Sequence, residues 1–213
     1  HYKHRNDILA AYTGYGLKIN KWSGRLGLRY EHTLQDVKYL LGRGSDFSKD
    51  FDDLVPSASI GYKLTDMSNL RLGYNMRIYR PGIWYLNPYF DDTDPAYIRQ
   101  GNPELASEKT HSVNISYSNF TQKLNYNIYI GYSTTDNSIE NVSELVSDLT
   151  LVDKGLQNPT GKDVIYSTYK NIGKSRSLDI SGYANWNATS STRIYANTYV
   201  RYAHIEDGMT LRN

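Results

Sequence analysis

No cysteine occurs among the 213 residues, which excludes disulfide staples, thiolate metal sites and a cysteine nucleophile and leaves the redox compartment open. Phenylalanine is scarce, at 4 residues against 21 tyrosines, and with Gly, Ser, Thr and Asn plentiful the composition is that of a β protein. An excess of charge is missing as well. The 24 basic and 22 acidic residues leave a net +2, so nothing points to nucleic acid, whose binders concentrate basic charge. No apolar run approaches the roughly 18 residues of a membrane helix, and the start HYKHRND has no signal-peptide apolar segment. A helical span is thereby excluded, but a β-barrel is not, because its strands need only about 9 to 11 alternating residues each.

What the sequence does contain is period-two alternation from end to end. In Ser23 to Thr33, Gly24, Leu26, Leu28 and Tyr30 fall on one face and Arg25, Gly27, Arg29 and Glu31 on the other. Seven further segments split in the same way, with apolar faces such as Leu70, Leu72, Tyr74, Met76 and Ile78, or Leu124, Tyr126, Ile128, Ile130 and Tyr132. None of these faces carries Asp, Glu, Lys or Arg. The opposite faces hold Lys18, Arg71, Arg77, Asp179 and Arg201 among many Asn and Ser. The pattern predicts an all-β antiparallel, up-and-down meander of about eight amphipathic strands.

Connections alternate in length. Short turn-forming stretches lie near Asn20 to Trp22, Thr65 to Asn69, Asn119 to Gln122 and Asn187 to Ser191, each able to close a hairpin. Long loops are expected at Leu34 to Leu54, Arg80 to Lys109 and Thr134 to Asp163, lengths uncommon in compact soluble domains. Short turns at one end and long loops at the other is the layout of a bacterial outer-membrane barrel. Aromatics support that reading: Trp22, Tyr62, Tyr117, Phe120, Tyr126 and Trp186 fall near the short-turn rim, and Tyr30, Tyr132 and Tyr202 near the other. Two aromatic girdles around an aliphatic band suit a bilayer. Alternation alone leaves two other architectures open. One is a complete eight-stranded structural barrel; the other is a soluble β-sandwich binding or adhesin module whose apolar faces bury each other.

The long segment from Arg80 to Thr110 holds four of the six prolines. It carries Arg80-Pro81, Leu86-Asn87-Pro88 and Gly101-Asn102-Pro103-Glu104-Leu105. Together with FDDLVPSASIGYKLTDMSNLRLGYNMRIY before it and the strand patterns on either side, it resembles the barrel domain of TonB-dependent receptors, especially those of Bacteroidetes-type outer membranes. Ser107-Glu108 stands where that family often has Pro-Glu. The resemblance covers nearly the whole chain. It implies that residues 1–213 are a single internal segment of a barrel of about 22 strands, without the plug domain and without a terminal strand ending in an aromatic.

By the same resemblance the chain belongs to the outer membrane of a Gram-negative cell. Its partners would be outer-membrane lipid, a small nutrient ligand of unknown identity and, through the absent plug, the TonB complex; the protein is not an enzyme. Ligand contact is expected from the loop aromatics Trp84, Tyr85, Tyr89 and Phe90, since aromatics flanked by polar groups make adaptable binding surfaces. Arg25, Arg29, Arg71 and Arg77 are expected to face the lumen and line a polar route. The competing expectation is that the aromatics pack the loop down and the arginines pair with Glu31 and neighbouring strands or with the plug. Within the loop, Pro81 ends the ladder, Pro88 and Pro103 push Asn87 and Asn102 to extended geometry, and Gly101 permits a positive φ.

No cofactor or metal is expected. His1, His4, His32, His111 and His204 lack zinc spacing. The acidic runs Asp50, Asp52, Asp53 and Asp91, Asp92, Asp94 lack the EF-hand spacing and are read as solvated loop charge. Gly173-Lys174-Ser175 is a lumen-facing strand bend rather than a phosphate loop, because Thr168 stands where that motif needs glycine.

Overall fold

The computed structural model describes residues 2–40 and 46–206; His1, residues 41–45 and the terminal residues 207–213 lie outside that range. The chain opens with two 18-residue strands, β1 (Tyr2–Ile19) and β2 (Trp22–Tyr39), which pair antiparallel without a register shift. Their two-residue turn places Asn20 at φ 52°, the left-handed conformation that asparagine tolerates in tight hairpins. β3 (Phe47–Thr65) and β4 (Ser68–Tyr79) form the next hairpin. Pro56, which has no N–H to offer, stands beside Ser57, where the β3–β4 ladder ends. A long excursion follows, holding one helical turn, α1 (Ile83–Leu86), and a small hairpin of β5 (Phe90–Asp94) and β6 (Tyr97–Gln100). The meander resumes with β7 (Glu108–Phe120), β8 (Leu124–Ser147), a short 3-10 helix (Asp148–Lys154), β9 (Asp163–Asn187) and β10 (Arg193–Glu206).

All ten strands join one sheet, in the order β1-β2-β3-β4-β7-β8-β9, with β10 and then β6-β5 on the far edge of β9. The eight long strands are the predicted antiparallel meander. One row of paired residues crosses all of them: Leu17, Gly24, Ile60, Leu72, Ile115, Ile130, Ile180 and Val200. Its large side chains are exposed, Ile60 at 52% and Val200 at 59%, and among the described residues no second sheet covers them. That overturns the sandwich alternative, in which these faces would bury each other. The complete eight-stranded barrel is not formed either, since β1 and β10 do not pair among the described residues.

The structure corrects two of the expected long loops. β2 runs to Tyr39 and β3 starts at Phe47, and β8 runs to Ser147 with β9 beginning at Asp163, so most of Leu34–Leu54 and much of Thr134–Asp163 is strand. Backbone pairing continues there although apolar alternation does not, because no uniformly apolar surroundings impose it beyond the girdle. Register shifts at Thr135, Ser138 and Ile139 mark the bulged passage into this upper part of β8. The arm Arg80–Lys109 does connect β4 to β7 as expected, but it is a folded arm.

Among the described residues the buried hydrophobic side chains gather at this end. One cluster is Phe51, Leu86 and Leu105, with Tyr85, Ile139 and Tyr169 against it; the other is Ile98, Leu151, Val164 and Tyr166, with Phe90 and Val146. On β2 the buried residues are Thr33, Gln35 and Val37, which share the face of Arg25 and Arg29 by strand alternation. The arm therefore folds back over the polar face of the sheet.

Candidate functional site

Charge fixes both stems of the arm to one carboxylate. Arg80, just past β4, places Nη2 2.5 Å from Glu31 Oε2 and 3.2 Å from Asp53 Oδ2. At the returning stem, Ser107 Oγ donates to Asp53 Oδ2 at 3.1 Å and Lys109 Nζ lies 3.7 Å from Asp53 Oδ1. Asp53 is only 3% exposed, and a buried carboxylate persists only with such partners. Pro81, fully buried, ends the β4 ladder and accepts a hydrogen bond from Gln35 Nε2 at 3.4 Å.

Two Asn-Pro steps shape the arm. Asn87 Oδ1 accepts from Tyr89 N at 3.0 Å and Asn102 Oδ1 from Glu104 N at 2.9 Å, so each asparagine folds its own turn across the following proline. Asn87 is extended, with φ −60° and ψ 113°, as a residue before proline prefers. Asn102 also ties the arm to the sheet: its Nδ2 donates to Tyr169 O at 2.9 Å and its backbone N to Tyr85 O at 2.6 Å. Gly101 differs from expectation. The glycines with positive φ among the described residues are Gly155 and Gly161; Gly101 is needed because a β-carbon there would collide with the backbone of Asn87.

The four expected contact aromatics divide in two. Tyr85 packs edge-on against Tyr169 with ring centroids 4.8 Å apart, and Phe90 packs into the Ile98–Leu151 cluster. Trp84, 73% exposed, and Tyr89 instead line an open concavity of about 380 Å³ with Asp91, Arg99, Asn141 and Tyr169. Asp91 and Arg99 face each other across the β5–β6 pair with Nε–Oδ2 at 4.0 Å. Hydrogen bonds from the Thr93 hydroxyl and then its backbone N–H hold the Asp91 carboxyl below the usual range, so the concavity carries one fixed negative and one positive charge. Sequence reasoning missed Asn141 and Tyr169. They stand on β8 and β9, and only the fold-back of the arm brings them to Trp84.

The hairpin β5–β6 holds this arrangement against β9. β6 pairs in parallel with Ile165–Ser167 on the edge above the reach of β10. The hydroxyl of Tyr166 donates to Gln100 Oε1 at 2.9 Å, and Gln100 Nε2 donates to Pro88 O at 2.9 Å. Below, the 3-10 helix is anchored by Asp148, whose carboxylate accepts from Thr160 N at 2.6 Å, Thr160 Oγ1 at 2.8 Å and Gly161 N at 2.8 Å.

The four arginines also separate. Arg29 Nε sits 2.5 Å from Glu31 Oε1, extending the ion-pair chain to Arg80. Arg25 and Arg71 line a second concavity nearer the short turns, and Arg77 lies outside it. All four are on the face opposite the apolar row. Among the described residues no group of His, Cys, Asp and Glu is placed to hold a metal ion.

Solved structures share this fold. The ferric enterobactin receptor PfeA of Pseudomonas aeruginosa superposes with a TM-score of 0.66 at 14% identity, over 94% of this chain and 36% of that one. The siderophore receptor PirA from Pseudomonas aeruginosa gives 0.59 at 12% identity, over 95% and 43%. The ferric-catecholate import receptor Fiu from E. coli K12 gives 0.62 at 18%, over 98% and 29%. The chain thus spans well under half the length of each of these structures. No curated protein matches the sequence. The model of the outer membrane protein beta-barrel family matches residues 1–212, and the chain, with its exposed apolar row on one face of a single antiparallel sheet, belongs to that outer-membrane family.

Proposed function

We propose that the chain is part of a TonB-dependent outer-membrane transporter, of Bacteroidetes type, that captures a small nutrient at the folded arm and admits it through the barrel. The observation that carries this reading is the concavity beside Trp84 and Tyr89. An arm clamped at both stems by Asp53 presents two aromatic side chains next to Asp91, Arg99, Asn141 and Tyr169, a mixture of apolar surface and a few polar groups suited to holding a small ligand. Two facts support placing the segment inside a larger barrel. It superposes on under half of each receptor compared, and the outer edges of β1 and β10 have no partner among the described residues. In this reading further strands close a barrel of about 22, as the family resemblance implies. A plug outside residues 1–213 engages the TonB complex, and no covalent chemistry is assigned.

Uptake tests the proposal. Cells producing the full-length protein deplete a ligand from a defined nutrient mixture, read by mass spectrometry, and the depletion stops when the inner-membrane proton gradient is uncoupled. Replacing Trp84 and Tyr89 together by alanine weakens capture by about 1 kcal/mol or more, as for aromatic anchors elsewhere. Depletion indifferent to the uncoupler would remove the TonB coupling. No depletion of any component would remove transport.

A further inference from the structure

The second concavity lies on the polar face of β1–β4, away from the arm. Strand register builds it. One row of paired residues runs Gly16, Arg25, Ser59, Gly73, and the next runs Lys18, Ser23, Gly61, Arg71. Lys18, Arg25 and Arg71 therefore stand around a floor of serine and glycine, and all three line one hollow of about 300 Å³ with Ser23, Ser59 and Gly61. Gly61 keeps the floor bare at one point, where a β-carbon would come within 2.6 Å of Ser23 Oγ and make that hydroxyl turn aside. Long cationic side chains can lean over such a floor, because nothing rises from it to hold them apart.

What sets these three apart is that they are gathered in one hollow without a carboxylate partner among the described residues: Arg77, on the same face and likewise without an ion pair, stands outside it, and many of the other cations are paired. Arg29, Arg80 and Lys109 are neutralised by Glu31 and Asp53, Arg201 by Asp179 at 2.5 Å, and Lys63 by Asp66 at 2.8 Å. No carboxylate lies within 4.0 Å of Lys18, Arg25 or Arg71 among the described residues, and the nearest turn acid, Asp66, is committed to Lys63. Three like charges around one hollow raise its potential and concentrate anions there. Guanidinium groups add paired donors matched to the oxygens of a phosphate or carboxylate, with the serine hydroxyls as further donors.

We propose that Lys18, Arg25 and Arg71 form an oxyanion-binding site that takes the phosphate or carboxylate group of a small solute on the lumen face. This site is independent of the concavity beside Trp84. Among the described residues its charge is uncompensated, whereas Asp91 and Arg99 balance there.

The test is isothermal titration of the full-length protein in detergent micelles with inorganic phosphate and, separately, succinate at low ionic strength. Saturable binding is expected that falls as salt rises. In the Arg25→Gln/Arg71→Gln double variant it weakens roughly tenfold or more, the scale for losing hydrogen bonds to a charged group. Arg77→Gln, on the same face but outside the hollow, leaves it unchanged. Arg25→Lys/Arg71→Lys keeps the charge and retains binding in part, which separates recognition from misfolding. Preference for phosphate assigns phosphorylated solutes, and preference for succinate carboxylated ones. Absence of saturable binding, as when polypeptide carboxylates already occupy the hollow, overturns the proposal, as does equal weakening by Arg77→Gln.

Discussion

At the residue scale, single polar side chains do the work that a hydrophobic core does elsewhere. Asp148 is the clearest case, because its carboxylate gathers the backbone and side chain of Thr160 and the backbone of Gly161. The Thr160 backbone N–H is the foremost of the groups that hold its carboxyl below the usual range. A carboxyl depressed in the folded state contributes stability that is present above its unfolded pKa, about 3.9, and is lost as pH falls through the lower folded value. The connection from Asp148 to Lys162 should therefore stay closed through mildly acid pH and loosen only below about pH 4. In Asp148→Asn it should be loose at neutral pH as well. Hydrogen exchange at the Thr160 and Gly161 amides reads this directly; protection unchanged in the variant would show that the bonds contribute nothing. Asn87, Asn102 and Gly101 act on the same scale, the asparagines by turning their own chain and the glycine by letting the Asn87 backbone approach.

At the scale of elements, the arm between β4 and β7 is the unit. It crosses β7 and β8 to add β6 to the edge of β9, and it is sealed by Leu86 and Leu105 against Phe51. Its two stems meet at Asp53, so removing that carboxylate should release both together. Asp53→Ala leaves the partly buried Arg80 with Glu31 as its remaining carboxylate, so the loss is that of hydrogen bonds to a charged group, about 1.5 to 3 kcal/mol. The expected result is faster protease cleavage between Arg80 and Lys109, while the strands keep the slow gel mobility change on heating typical of a folded barrel. Cleavage at the wild-type rate would mean that the apolar contacts of Leu86 and Leu105 hold the arm unaided.

At the scale of the whole molecule, the sheet has two faces with opposite requirements. The row from Leu17 to Val200 lies exposed on one face, and the family places that face in the outer membrane. Ile115→Arg sets a charge in the row and should cost roughly 2 to 4 kcal/mol of folding stability in bilayers. Asn114→Arg, one residue away on the polar face, should cost far less. Folding yield into lipid vesicles over a urea series separates the two; equal loss in both would show that the faces are not distinguished by lipid.

The sequence alone determined the faces and pointed to the antiparallel meander, while the outer-membrane class came from the resemblance of its motifs to a family, because alternation by itself left a soluble sandwich open. Period two is imposed locally, residue by residue, and each apolar face can be read without knowing its neighbour. The Asn87-Pro88 step was legible for the same reason, since the residue before proline is restricted by its own chain, whereas the role of Gly101, close approach of the Asn87 backbone rather than a positive φ, was not. Tertiary structure decided what depends on partners distant in the chain. The strands continue to Tyr39 and Ser147 where alternation has faded, because ladder hydrogen bonds persist without an apolar face. Trp84 and Tyr169 come to line one concavity, and Arg80 meets Glu31 and Asp53, across separations that no local pattern encodes. Arg29 and Arg25 share one face in the sequence; in the fold Glu31, on the same strand as both, pairs with Arg29 and with Arg80 from the arm, while Arg25 has no carboxylate within 4.0 Å among the described residues and lines the second concavity.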